Sequence, residues 1–311
     1  MANIDFLADL KDVIEQELST LGFPPDPVTT ANINTLLMRY VDVMRRVPPV
    51  IQWTVKKSRE LEQKNLKEVI KLGLTQFIDK AKSGKDLKPH LSKKIGEEPE
   101  FKDLMFYDWQ ISHFHLGTET DPSNPKFIKR TRELLFVLID LNASIMYLID
   151  ILGHEFTNQD LINIIEKNWP NVLGVHTIKG ISEIDINPSD VDIKIARETG
   201  SNLPIKTSSG RVLIAMGGAY ASDNTSILNQ HYSYEIKENI KKIQQKFIDH
   251  KLTKQKELIK AENEFKDQHN KNWDELEFKL VSLKFFGQPK GQQIVEIKES
   301  QTEEIIICEL N

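Results

Sequence analysis

The sequence predicts an α+β fold, and three observations predict it. Residues 133–140 (ELLFVLID) and 145–152 (IMYLIDIL) are nearly continuous apolar runs joined by LNAS, as expected of neighbouring strands buried on both faces. Residues 4–20 place Ile4, Phe6, Leu7, Leu10, Val13, Ile14 and Leu18 at helix spacing, with one apolar stripe. After Pro170 the texture changes to further helix and strand signals, with a long charged helical stretch at 234–270.

The elements follow in order. GFPPDP (22–27) stops the first helix. Thr29 or Thr30 caps a second helix that runs through Arg46 and is broken by Pro48-Pro49. Residues 51–55 read as a short strand, and 65–82 as a helix ended by Gly84. The polar run 82–100 reads as a loop. In DWQISHFHL (108–116) period-2 alternation puts Trp109, Ile111, His113 and His115 on one face of a strand. GTETDPSNP (117–125) is a loop, and Asn158 or Thr157 caps a closing helix that ends at Trp169-Pro170. Asn187-Pro188-Ser189-Asp190 starts a helix that ends at Gly200. Residues 205–206 and 211–216 form a hairpin about TSSG. MGGAYASDNTS (216–226) lacks the lysine of a phosphate loop and reads as a flexible loop in which Tyr220, Asp223 and Ser226 could face a ligand. Residues 276–286 and 293–309 read as three strands, the last two joined by SQTEE.

The totals bound the function. A chain of 311 residues can hold more than one domain and bury a real core. A net charge of −5 argues against a wholesale nucleic-acid or membrane coat, though not against a local basic patch. A single cysteine, Cys308, forms no intrachain disulfide and sits in an apolar strand as a core thiol, so a reducing cytoplasm is the expected setting. The acidic N-terminus lacks the basic start and apolar core of a signal peptide, and no apolar run is long enough to span a bilayer.

The candidate chemistry gathers at 106–170. His113 and His115 stand two apart on one strand, so their rings project side by side. With an unperturbed pKa of about 6.5, histidine suits both acid and base roles. Lys129, Arg130 and Arg132 are the nearest cations by sequence and would offset charge on a phosphorane. His154, at the end of the strand after next, is a third acid–base or positioning candidate. Tyr107 and Trp109, like Lys129, are candidates for substrate binding. In 234–272 the residues Ile236, Ile240, Ile243, Phe247, Ile248 and Leu252 make an amphipathic stripe, either packed internally or offered to a second copy or partner.

The order helix, helix, loop, strand meander and short helix resembles the RelE/ParE/HigB-like toxin ribonucleases. The matching pieces are ISHFHL (111–116), RTRELLFVLID (130–140) and MYLIDILGHEFTN (146–158), and the resemblance covers roughly residues 60–170. It differs from that family in offering histidines and one arginine pair where several arginines are usual, and in carrying a large C-terminal part. The resemblance implies a RelE-like antiparallel nuclease module at 61–172; the helix signals before it give a helical N-terminal segment at 1–60, and the change of texture after Pro170 gives an α+β recognition or assembly domain at 173–311. It further implies metal-independent RNA cleavage in a toxin or phage-defence setting, with RNA as substrate and a protein inhibitor or activator as partner. Two other readings stand beside it. His113, His115 and Glu119 have the spacing of a first cupin motif, which with His154 would hold a divalent transition metal. The other is a non-catalytic protein-interaction scaffold.

Overall fold

The computed structural model describes residues 4–97, 103–154, 156–173, 176–181, 183–215, 225–253, 256–269, 273, 276–284, 294–300 and 302–309. The expected loop residues 216–224, with Tyr220 and Asp223, lie outside the described residues. The fold is α+β, with mixed helices and three separate sheets.

Helix α1 (Phe6–Leu21) is capped by Asp5, which accepts from the Ala8 N–H, and it buries Phe6, Leu10, Val13, Ile14 and Leu18. The second helix differs from expectation. Asp26, not a threonine, caps a short α2 (Pro27–Thr30), and Asn32 then restarts the chain as α3 (Ile33–Arg46) by accepting from the Asn34 N–H. Asp26 wins because Pro27 behind it is already set for the first helical position.

Strand β1 (Thr54–Lys57) lies slightly later than expected, and Ser58 caps an unforeseen α4 (Arg59–Gln63) ahead of α5 (Glu68–Lys82). The stretch expected to be loop holds a 3-10 turn at Lys88–His90 and a short α6 (Lys94–Glu97). Then come α7 (Leu104–Trp109), β2 (Ile111–His115), β3 (Leu134–Asp140), β4 (Ile145–Leu152) and α8 (Asp160–Asn168). The meander β2-β3-β4 is antiparallel, and β1 adds to it in parallel beside β4, giving the order β1-β4-β3-β2. Ser58 fixes that addition, since its Oγ donates to the Ile149 carbonyl at 2.5 Å. Gly73 lets α5 lie on β2: a Cβ there would meet the Leu116 carbonyl oxygen at 1.9 Å.

Helix α9 (Asp190–Glu198) has a full capping box between Ser189 and Asp192. A two-residue hairpin, β5 (Ile205–Lys206) and β6 (Val212–Leu213), follows. Ile193, Ile205 and Leu213 join Ile111, Phe136, Ile149 and Leu161 in one apolar core.

The charged stretch forms α10 (Ile227–Thr253) and α11 (Lys256–His269). His250 Nε2 lies 3.3 Å from Glu262, so α11 folds back on α10 as a hairpin. Of the expected stripe, Ile236, Ile240, Ile243 and Phe247 are buried within the chain, Phe247 against Phe6, Trp273 and Phe278, whereas Ile248 is partly exposed. Strands β7 (Phe278–Lys284), β8 (Ile294–Glu299) and β9 (Ile305–Glu309) make an antiparallel sheet. Cys308 is half-buried on the edge strand rather than deep in a core, and burial pushes its thiol up to about 11.

The chain divides into two compact units, Met1–Met44 with His231–Asn311, and Arg45–Gln230. These points differ from the expected divisions after residues 60 and 172. The reason is non-local: α1 lies along β7, where Asp9 accepts from the Leu280 N–H at 3.0 Å, so the two ends of the chain build one unit. Among the described residues, no helix is long and apolar enough to cross a membrane.

Candidate functional site

Strand β2 carries the site. All five of its residues are buried, with His113 6% and His115 2% exposed. The alternation holds within the strand: Phe114 packs on Phe77 of α5, whereas His113 faces Phe136 and Phe156 on the opposite side. Trp109 does not share that strand. It is the last residue of α7, followed by Gln110 in the left-handed region at φ 57°, and its ring is buried against His176. Tyr107 is buried as well. The structure thus puts both proposed substrate-binding aromatics inside, because Asp103 caps a short helix where alternation alone reads as strand.

His113 has a partner that the sequence reading missed. Asp103 Oδ2 stands 3.2 Å from its Nδ1, a close polar contact outside hydrogen-bond geometry. Asp103 is buried, which opposes its ionisation, but His113 and Arg46 outweigh this and hold the carboxyl below its usual range. Arg46 lies 3.8 Å from the same carboxylate.

His115 differs from His113. Its Nδ1 accepts from the Thr131 N–H at 3.2 Å, which fixes the tautomer with the proton on Nε2. Burial first, then the charges of His113 and Arg130, push its pKa down to about 3. Its own carbonyl is held by His90, whose Nδ1–H donates to it at 2.9 Å while Nε2 accepts from Lys80 at 3.0 Å.

His154 is exposed, just beyond β4. Burial, then Arg130, then His113 lower its pKa, against a hydrogen bond to the Arg132 backbone. Phe156 lies between the two histidines, its ring 5.0 Å from His113 and 5.8 Å from His154. The structure therefore brings His154 within electrostatic reach of His113 and Arg130, and His115 within reach of all three. Gly117 secures the cationic segment, for a Cβ there would meet the Lys129 carbonyl oxygen at 2.1 Å. Lys129 itself is engaged by Glu119 at 2.7 Å, whereas Arg130 and Arg132 are exposed and form no ion pair among the described residues.

Compared with known proteins, the chain matches no family model, no curated protein and no solved structure.

Glu119 is turned to Lys129, and among the described residues no three His, Cys, Asp or Glu side chains gather where they could hold a metal ion. The missed residues carried faint signals. Asp103 precedes LMFYDW as a helix cap would. Arg197 falls four residues after Ile193 on the buried face of α9, where an arginine demands a buried partner.

Proposed function

We propose that Arg45–Gln230 carries an endoribonuclease site that works by histidine acid–base chemistry without a metal. The observation behind this reading is the Asp103 carboxylate beside His113, with His154 in electrostatic reach of both that histidine and the exposed Arg130. The antiparallel β2-β3-β4 meander followed by α8 is the part of the fold that supports the RelE-like resemblance, and with it a toxin or phage-defence setting in which a protein inhibitor or activator is a partner.

In this reading Asp103 orients His113, whose Nε2 takes the proton of the ribose 2′-hydroxyl. The 2′-oxygen attacks phosphorus, and the bond to the 5′-oxygen breaks as protonated His154 donates to it. Arg130 offsets the charge of the phosphorane. The products are a 2′,3′-cyclic phosphate and a free 5′-hydroxyl. We give the second proton transfer to His154 rather than His115. His115 stays neutral down to about pH 3 and its Nδ1 is occupied, so it contributes an Nε2–H donor instead. The Phe156 ring covers His113 and must swing aside to admit the ribose.

A second reading rests on the burial of His113 and His115: both are structural, and the unit is a binding scaffold. Incubation of labelled total RNA with the full chain, with and without a chelator, separates the readings. The ribonuclease reading expects cleavage that survives chelation and falls by about 100-fold or more in His113→Ala. Cleavage lost on chelation would instead point to a metal-dependent enzyme. Absence of cleavage in every lane would favour the scaffold.

A further inference from the structure

The turn after β4 is anchored from an unexpected place. Arg197 of α9 is 4% exposed, and its guanidinium has two partners. Its Nε donates to the Asp108 carboxylate, and one terminal nitrogen donates to the Phe156 carbonyl at 2.6 Å. Asp108 is itself buried near the end of α7, and burial raises its pKa against the pull of Arg197. Helix α7 thus carries two carboxylates with separate tasks. Asp103 at its start faces His113, and Asp108 near its end holds Arg197.

We propose that Arg197 is a positioning residue of the site, acting through Phe156 to fix the spacing between His113 and His154. A planar guanidinium can serve two acceptors at a fixed angle, whereas an ammonium is a point charge on a flexible stem. With its carbonyl tied to α9, Phe156 is held in place, its ring packed against the core. His154, two residues earlier, keeps its distance from Arg130 and His113. Helix α9, expected in a separate domain, thereby takes part in positioning the site. Only the kinetic arm of the test rests on the ribonuclease reading.

The test is Arg197→Lys in the full chain, which keeps a charge against Asp108 but gives up the fixed fork to Phe156. Histidine-selective NMR follows the titration of His154, and RNA cleavage gives kcat and KM separately. The variant is expected to leave the His90 and His115 signals in place and to move the His154 midpoint up, because the ring's burial and its closeness to Arg130 and His113 all relax. The expected kinetic change is a fall in kcat of about tenfold, with KM within about twofold. A folded Arg197→Lys variant with the native His154 midpoint and native kcat overturns the proposal. Should that variant not fold, Arg197→Gln, which removes the buried charge and is too short to hold both acceptors, takes its place, and a native His154 midpoint there overturns it equally. A shifted midpoint in a protein that cleaves no RNA leaves the positioning role standing and removes the ribonuclease reading.

Discussion

The two units treat buried charge differently. In Met1–Met44 with His231–Asn311, buried ionised groups serve short-range tasks. Arg39 and Asp42 face each other one helical turn apart, and Glu299 accepts the Glu277 and Thr302 N–H groups around the β8–β9 turn. Its core is aromatic, built on Phe6, Phe247, Trp273 and Phe278. In Arg45–Gln230, by contrast, buried carboxylates join elements far apart in sequence: Asp103 meets Arg46 and the His113 ring, and Asp108 meets Arg197. Such pairs are poor sources of stability, because desolvation offsets most of their attraction. What they supply is placement, and they surround the candidate site. The lesson is that one unit is built for cohesion and the other for geometry.

The comparison can be broken most directly at Asp108. Asp108→Ala strands the buried Arg197 charge and should destabilise Arg45–Gln230 by about 3–5 kcal/mol. Hydrogen exchange reads this separately in each unit: β3 and β4 amides should lose protection while β7 and β8 amides keep theirs. Equal loss in both sheets would erase the distinction.

Acid should sharpen it. His90 and His115 have folded pKa values pushed down to about 4 and about 3, below the 6.5 of the unfolded chain. Their contribution is complete above pH 6.5 and is lost as pH falls toward those values, because the unfolded state binds the protons first. Between roughly pH 6 and 4 the two together should cost about 2–3 kcal/mol per pH unit. Urea midpoints measured across that range should fall steeply, and His90→Gln should halve the slope. A flat profile would show that neither histidine is held neutral.

The smallest effect belongs to the surface of the other unit. Lys284 and Glu296 pair across β7 and β8 at 2.5 Å, with Lys284 substantially exposed. Lys284→Ala should cost less than about 1 kcal/mol in the same exchange experiment.

Much of this architecture is legible in the sequence. The strand at 145–152 lies where the apolar run puts it, the Ser189 cap starts its helix, and the alternation of β2 sorts Phe114 from His113. Trp109 was misread because six residues of helix are too few to show a period, while DWQISHFHL alternates by chance into the strand that follows. The pairing of α1 with β7 has no local signature at all, since it depends on residues some 270 positions apart. The site divides along the same line. His113, His154 and Arg130 meet because neighbouring strands bring their ends together, which sequence order foretells. Asp103, Phe156 and Arg197 come from a cap, a turn and a helix face, whose directions only the assembled core decides.

The union of the chain's two ends has a consequence for biosynthesis. During translation the apolar stripe of α1 leaves the ribosome first, but β7 emerges some 270 residues later. At about 5–20 residues per second, that stripe waits roughly 15–50 seconds for its partner. Arg45–Gln230 can close in the meantime, because β1 needs only β4. A chain interrupted after residue 230 would therefore hold a finished sheet and an orphaned, adhesive helix, the kind of nascent segment that holding chaperones are suited to shield.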